Sequence, residues 1–206
     1  MTVNVSLTQF LTYTSKVSTS ARINFVRSIK SNPEYDPTTD FWKRLRDEIK
    51  RVHVNDLPIE TLELLPKKVT EKKVASYERA IKNYIKFCRN NSVQYFKPGK
   101  SFWKLKDDLY IRTSPELGLI INGNKYYVKN YYKKKSSDQK ITLRNIKSTL
   151  TMMQISEKDF TVEDNAQFAV LNLQNSKLIT ADPLVSESVL ELEIDATNFY
   201  DIYTRI

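Results

Sequence analysis

The stretch from Leu117 to Lys135, LGLIINGNKYYVKNYYKKK, constrains the fold more than any other part of the chain. Two runs rich in β-branched and aromatic residues flank Asn122-Gly123-Asn124. Both central residues of a two-residue hairpin turn must adopt positive φ, which Asn and Gly tolerate at little cost. A β-hairpin is therefore expected. With either Asn122-Gly123 or Gly123-Asn124 at the turn, the two-residue side-chain period puts Leu117, Leu119 and Ile121 on the face that carries Tyr126 and Val128. That face should meet the core. The opposite face of the second strand reads Lys125, Tyr127, Lys129, Tyr131, Lys133, cation alternating with aromatic. It is expected to stand in solvent as a ribbon suited to phosphates and unpaired bases.

Scarcity of certain residues removes whole classes of chemistry. The three glycines, Gly99, Gly118 and Gly123, are too dispersed for a Walker A loop or a GxGxxG dinucleotide turn. His53 is the only histidine, so a His-rich zinc site cannot be assembled. It follows the helical run ending Lys50-Arg51-Val52, where a cationic ring would complement the helix C-terminus. Cys88 is the only cysteine, which rules out an intrachain disulfide and CxxC chemistry; its place on an apolar stripe marks it as a small core residue. Any catalysis would have to use carboxylates, lysines or tyrosines, with a divalent metal as the natural partner. No apolar run approaches the roughly 20 residues of a membrane helix. MTVNVSLTQF lacks the basic and apolar regions of a secretory signal, so the expected location is cytoplasmic.

Charge is unevenly distributed along the 206 residues. Residues 1 to 140 carry 28 Lys and Arg against 14 Asp and Glu, whereas residues 141 to 206 carry 5 against 10. The net charge of +9 thus hides a strongly basic first part and an acidic tail. A polyanionic partner, DNA or RNA, is expected for the basic part, with attraction between the two parts as the structural alternative.

Hydrophobic spacing supplies the elements. Ser6 and Gln9 have capping-box spacing ahead of a first helix, and a second helix carries Phe25, Val26 and Ile29 and stops before Asn32-Pro33. Glu34 to Thr38 reads as a turn. Thr39 or Asp40 then caps a basic amphipathic helix with Phe41, Leu45, Ile49 and Val52 on one stripe. IETLELLP, bracketed by prolines, allows one or two helical turns. From Thr70 a long helix repeats Val74, Tyr77, Ile81, Tyr84, Ile85 and Cys88, with Lys82, Lys86 and Arg89 on its outer face. Asn90, Asn91, Pro98 and Gly99 suggest a boundary between a helical region, 1–91, and an α+β region, 92–206, which can still pack as one domain. In the second region, strands are expected at Leu109 to Thr113, in the hairpin, at Phe168 to Leu173 and at Leu178 to Thr180. Asp138 is expected to cap a helix with Leu143, Ile146, Leu150 and Met153. The tail matches a helix through Val189, Leu192, Ala196, Phe199 and Tyr203.

The predicted fold is α+β, a helical N-terminal half followed by a small, mainly antiparallel sheet flanked by helices. Its order from residue 70 onward resembles the restriction-endonuclease-like core, in which a three-stranded antiparallel meander is followed by a helix and a further strand. Such nucleases place an acid on one strand and an acid-x-Lys triplet on the next, so that two carboxylates hold Mg²⁺ and the lysine positions or activates water. That resemblance implies Glu116, Asp138 and Lys140 as catalytic candidates, the last two from Asp138-Gln139-Lys140.

Three functions are consistent with these features. The first is non-enzymatic nucleic-acid binding, without a cofactor, through Lys125, Tyr127, Lys129, Tyr131 and Lys133, extended by Lys82, Lys86 and Arg89. Lysines would neutralise phosphates and tyrosines would stack on bases. The second is a Mg²⁺-dependent nuclease-like protein, active or inactive. The third is a protein interaction module, in which the acidic tail docks on the basic part of another copy and forms a homo-oligomer.

Overall fold

The fold is taken from a computed structural model that describes residues 2–32 and 40–206. The chain opens with β1 (Val3–Ser6), which runs directly into α1 (Leu7–Thr14). The capping box forms as expected: the Ser6 hydroxyl accepts from the Gln9 N–H, and the Gln9 side chain accepts from the Ser6 N–H. Three helices follow, α2 (Thr19–Lys30), α3 (Lys43–Val54) and α4 (Glu71–Arg89), with short 3-10 segments at Ile59–Leu64 and Pro66–Lys68 between the last two. The expected turn over Glu34 to Thr38 and the Thr39 cap lie outside the described residues. Asp40 does act near the start of α3, its carboxylate accepting from the Trp42 N–H at 3.0 Å.

Two sheets occupy the rest. The larger, five-stranded sheet has the order β2-β5-β6-β8-β9, with β2 (Val93–Phe96), β5 (Leu117–Ile121), β6 (Asn124–Tyr131), β8 (Gln167–Asn172) and β9 (Lys177–Thr180). β2, β5 and β6 form an antiparallel meander. β6 and β8 are parallel, so the chain must cross over between them, and α5 (Leu143–Ile155) lies in that crossover. β9 returns antiparallel to β8, and α6 (Ser186–Arg205) ends the chain. The smaller sheet joins β1, β4 (Leu109–Arg112), β3 (Ser101–Leu105) and β7 (Glu157–Lys158), with β1 parallel to β4.

The α+β architecture agrees with the sequence pattern, but the strands form two sheets instead of the one expected, and two details also differ. The meander begins with β2, not with the strand expected at Leu109 to Thr113. That strand forms, but it pairs with β3 and β1 because the chain makes a hairpin excursion, residues 101–112, between β2 and β5. Helix α5 is capped by Thr142, whose hydroxyl accepts from the Asn145 N–H, and not by Asp138.

The five-stranded sheet is buried on both faces. On one, Leu117, Leu119, Ile121 and Val128 pack against Leu45 and Ile49 of α3 and Tyr77, Ile81 and Tyr84 of α4. On the other, Tyr127 and Phe168 join Phe10 of α1, Ile111 of the second sheet and Phe199 of α6. Tyr131 and Val170 meet Leu11, Ile146 and Leu150 alongside them. The N-terminal strand and helices therefore cover the face of a sheet formed much later in the chain.

Candidate functional site

The hairpin register is that of an Asn122-Gly123 turn: Ile121 pairs with Asn124 and Leu117 with Val128, and the two turn residues have φ of 50° and 85°. One step beyond Leu117, Glu116 comes level with Lys129, and its N–H donates to the Val128 carbonyl at 2.9 Å. The two side chains form an ion pair in which Lys129 and Glu116 are only 6% and 10% exposed. Glu116 also accepts from the Tyr132 O–H at 2.8 Å and from the Asn130 N–H at 3.4 Å. The Asn130 amide donates to Tyr132 Oη at 3.2 Å, while its own Oδ1 is buried without a hydrogen-bond partner.

Aromatic rings and a guanidinium close the cluster. Trp42 stacks on both Tyr132 and Tyr77, each with ring centroids 5.6 Å apart. Arg46 is bound to Asp40 at 2.7 Å. Burial opposes the charge on Arg46, but the Asp40 hydrogen bond and the negative field of Glu116 outweigh it and raise its pKa. Burial first, and the Glu116 charge next, push the Tyr132 phenol well above its ordinary pKa, so it remains a donor to the carboxylate.

The Glu116 carboxylate is already engaged by Lys129, Tyr132 and Asn130. Divalent Mg²⁺ and Ca²⁺ need several oxygen ligands. Here the carboxylate is engaged by an ammonium, and the residue two before that lysine is Tyr127, not an acid. Among the described residues no group of three or more His, Cys, Asp or Glu side chains converges as a metal site.

The positions predicted from sequence separate into distinct surroundings. Glu116 and Lys129 come together, so Lys129 is a buried partner of Glu116 instead of an exposed phosphate contact. Tyr127 and Tyr131 are interior residues, 2% and 1% exposed. Tyr127 packs on Phe96, Phe160 and Phe168, and Tyr131 Oη accepts from the buried Gln139 amide. Lys125 is half-exposed and bound to Glu163 at 2.7 Å. Lys133 is half-buried next to α2. The solvent ribbon expected from 125 to 133 is thus absent, because β6 is a central strand with packed layers on both sides. Asp138 and Lys140 are not assembled with Glu116 as a triplet: Asp138 binds Lys16 at 2.5 Å, and the Lys140 N–H donates to the Ser15 carbonyl.

The outer face of α4 does stay in solvent. Lys82 and Lys86 are exposed, and Arg89 bonds to Glu60. These three residues line a groove of about 640 Å³ floored by Pro66, Ile81 and Ile85. His53 stacks on Tyr95 and lies 2.6 Å from Tyr84 Oη, where burial lowers its pKa and so disfavours the expected cation. Burial pushes the Cys88 thiol up to about 12, in keeping with a core role. No helix among the described residues is long and apolar enough to cross a membrane.

One contact overlooked in the sequence was nonetheless visible there, since extending the Asn-Gly register past Leu117 sets Glu116 opposite Lys129. The approach of Trp42 and Arg46 had no such signal. No protein-family model matches the chain, and no curated protein matches it.

Proposed function

We propose that this chain is a non-hydrolytic nucleic-acid-binding protein built on a restriction-endonuclease-like core. The observation that carries the reading is the placement of Glu116 and Lys129 within the sheet. The meander of β2, β5 and β6, the crossover helix α5 and the parallel strand β8 follow the order of such a core. Glu116 immediately precedes the second strand of the meander and Lys129 lies on the third, an arrangement that supports comparison with the first acid and the lysine of that class of nuclease. In that comparison Tyr127 corresponds to the second acid. On this reading one of the two metal-binding carboxylates is missing, and the other is paired with Lys129. A scaffold of this kind keeps the shape that approaches a nucleic acid while losing the means to hold Mg²⁺.

Phosphate contacts are assigned to the lysines that follow the ion pair at the end of β6. Lys134 and Lys135 are exposed immediately after Tyr132 and Lys133. Lys82 and Lys86 on α4 form a second basic surface. Lysines bind phosphate as point charges and read no bases, so affinity should vary little with sequence.

Fluorescence anisotropy with mixed-sequence DNA and RNA oligonucleotides tests the reading. Each phosphate neutralised gives a loss of about 3.5-fold between 50 and 200 mM salt, from a slope of about −0.9 per phosphate on duplex DNA. Lys134→Glu combined with Lys135→Glu is expected to lower affinity at least tenfold. Absence of binding, or affinity insensitive to salt, overturns the assignment. Plasmid cleavage in Mg²⁺ or Mn²⁺ that disappears in Glu116→Ala overturns its non-hydrolytic part.

A further inference from the structure

Lys16, just after α1, and Lys133, just after β6, are far apart in sequence but face the same ring. Their ammonium groups lie 5.9 and 5.2 Å from the centroid of Phe25 on α2. The backbone holds both loops in place: Val17 N–H donates to Asp138 O at 3.1 Å, and Lys140 N–H donates to Ser15 O at 2.9 Å. The Gln139 amide, buried between the loops, bonds to Ser15 Oγ at 2.7 Å and to Tyr131 Oη.

Charge in this corner is not balanced. Asp138 is occupied by Lys16 at 2.5 Å and by the Ser136 hydroxyl. Arg22, whose Nε approaches the Lys16 carbonyl at 3.5 Å, is bound to Asp195 at 3.2 Å. Lys133 has no hydrogen bond or ion pair among the described residues. Burial, reinforced by the positive field of Lys16 and only partly countered by Asp138, lowers its pKa to about 8. A half-buried ammonium held without an anion is costly, and a tetrahedral oxyanion between the two lysines would relieve that cost. Exposed Lys134, Lys135 and Lys140 would draw such an anion toward the same corner.

We propose that Lys16 and Lys133, set over Phe25, form a binding site for a phosphate group, the point at which a backbone phosphate of the nucleic acid docks. The inference rests on the nucleic-acid reading for its natural ligand, but the site can be tested without one. Inorganic pyrophosphate serves as the probe in thermal unfolding of the full chain, against potassium chloride at matched ionic strength. Wild type and Lys125→Met, which alters a lysine outside the site, should be stabilised by pyrophosphate. Lys133→Met should lose that shift, and Lys133→Arg should recover it. Without pyrophosphate, Lys133→Met should unfold at a temperature no lower than wild type, which establishes that it is folded.

A pyrophosphate shift equal in wild type and Lys133→Met, or absent from wild type, overturns the site. Anisotropy separates the two ideas. Oligonucleotide binding that Lys133→Met leaves unchanged removes the phosphate site while sparing the wider reading. A Lys133-dependent pyrophosphate shift without oligonucleotide binding keeps the site and removes nucleic acid as its ligand.

Discussion

Replacing Glu116 by glutamine strands the Lys129 ammonium inside the sheet. With the two side chains only 10% and 6% exposed, water cannot take over the lost interaction. Breaking a buried pair from one side costs about 3–5 kcal/mol. The amide of Glu116→Gln would keep an acceptor oxygen for Tyr132, so the loss should fall near the lower end, about 3 kcal/mol. Lys129→Met leaves the opposite charge in place, where the Tyr132 O–H, the Asn130 N–H and the field of Arg46 still hold it. Its expected loss is about 2–3 kcal/mol, below the usual range for that reason. In the double variant neither charge remains, and a neutral replacement of a buried pair is often close to neutral overall, so about 1–2 kcal/mol should be lost.

The resulting coupling, roughly 3–5 kcal/mol, far exceeds the roughly 0.3–0.5 kcal/mol of independent sites. Equilibrium urea unfolding followed by circular dichroism measures it, with a constant m-value as the check that only stability has changed. Single variants within about 0.5 kcal/mol of wild type, or a double variant equal to the sum of the singles, would refute the argument. Glu116 would then be a solvated carboxylate available to a metal, and the non-hydrolytic reading would fall with it.

Two further perturbations probe the core around this site. Burial lowers the His53 pKa from 6.5, with Asp56 partly opposing it, so as pH falls the unfolded chain takes up the proton first. Stability should therefore decline as pH drops below about 6.5 toward the lower folded pKa, and His53→Gln should flatten this segment of the unfolding profile; unchanged pH dependence would contradict it. Gly118→Ala would set a Cβ 2.5 Å from the Phe96 ring and 2.6 Å from the Phe96 carbonyl oxygen. Because that oxygen belongs to the paired strand β2, the expected loss is about 3 kcal/mol, at the upper end for overpacking, and a urea midpoint like that of wild type would show that β2 moves freely.

Much of the local structure was legible because local physics sets it. Ser6 and Gln9 cap α1 through a three-residue spacing that needs no distant partner. The hairpin forms where the Asn-Gly-Asn run predicted it, and of the two turns that run allowed, Asn122-Gly123 takes the positive φ values and pairs Leu117 with Val128. Leu45, Ile49 and Val52 of α3 and Tyr77, Ile81, Tyr84 and Ile85 of α4 are buried as their periodicity required, while Phe41, Val74 and Cys88 are only partly so. The α6 pattern likewise resolved the tail into a helix, with Leu192, Ala196 and Phe199 inside. Strand partners were harder to read. Leu109 to Arg112 is a strand in either arrangement, and its pattern does not record that β1, more than a hundred residues earlier, pairs with it.

The hairpin and the side-chain period that separates Lys129 from Val128 follow from the order of residues alone, whereas the choice between the two possible turns, and so the register, came from the structure. What each face of the strand meets does not. An alternation of Lys and Tyr looks the same whether one layer or two pack on the sheet, because period records direction and not surroundings. Here β6 lies between β5 and β8, with α3 and α4 on one side and α1, α5 and α6 toward the other. Tyr127 consequently packs with Phe10 and Phe199, Tyr131 with Leu11 and Ile146, and Lys129 is buried beside Glu116.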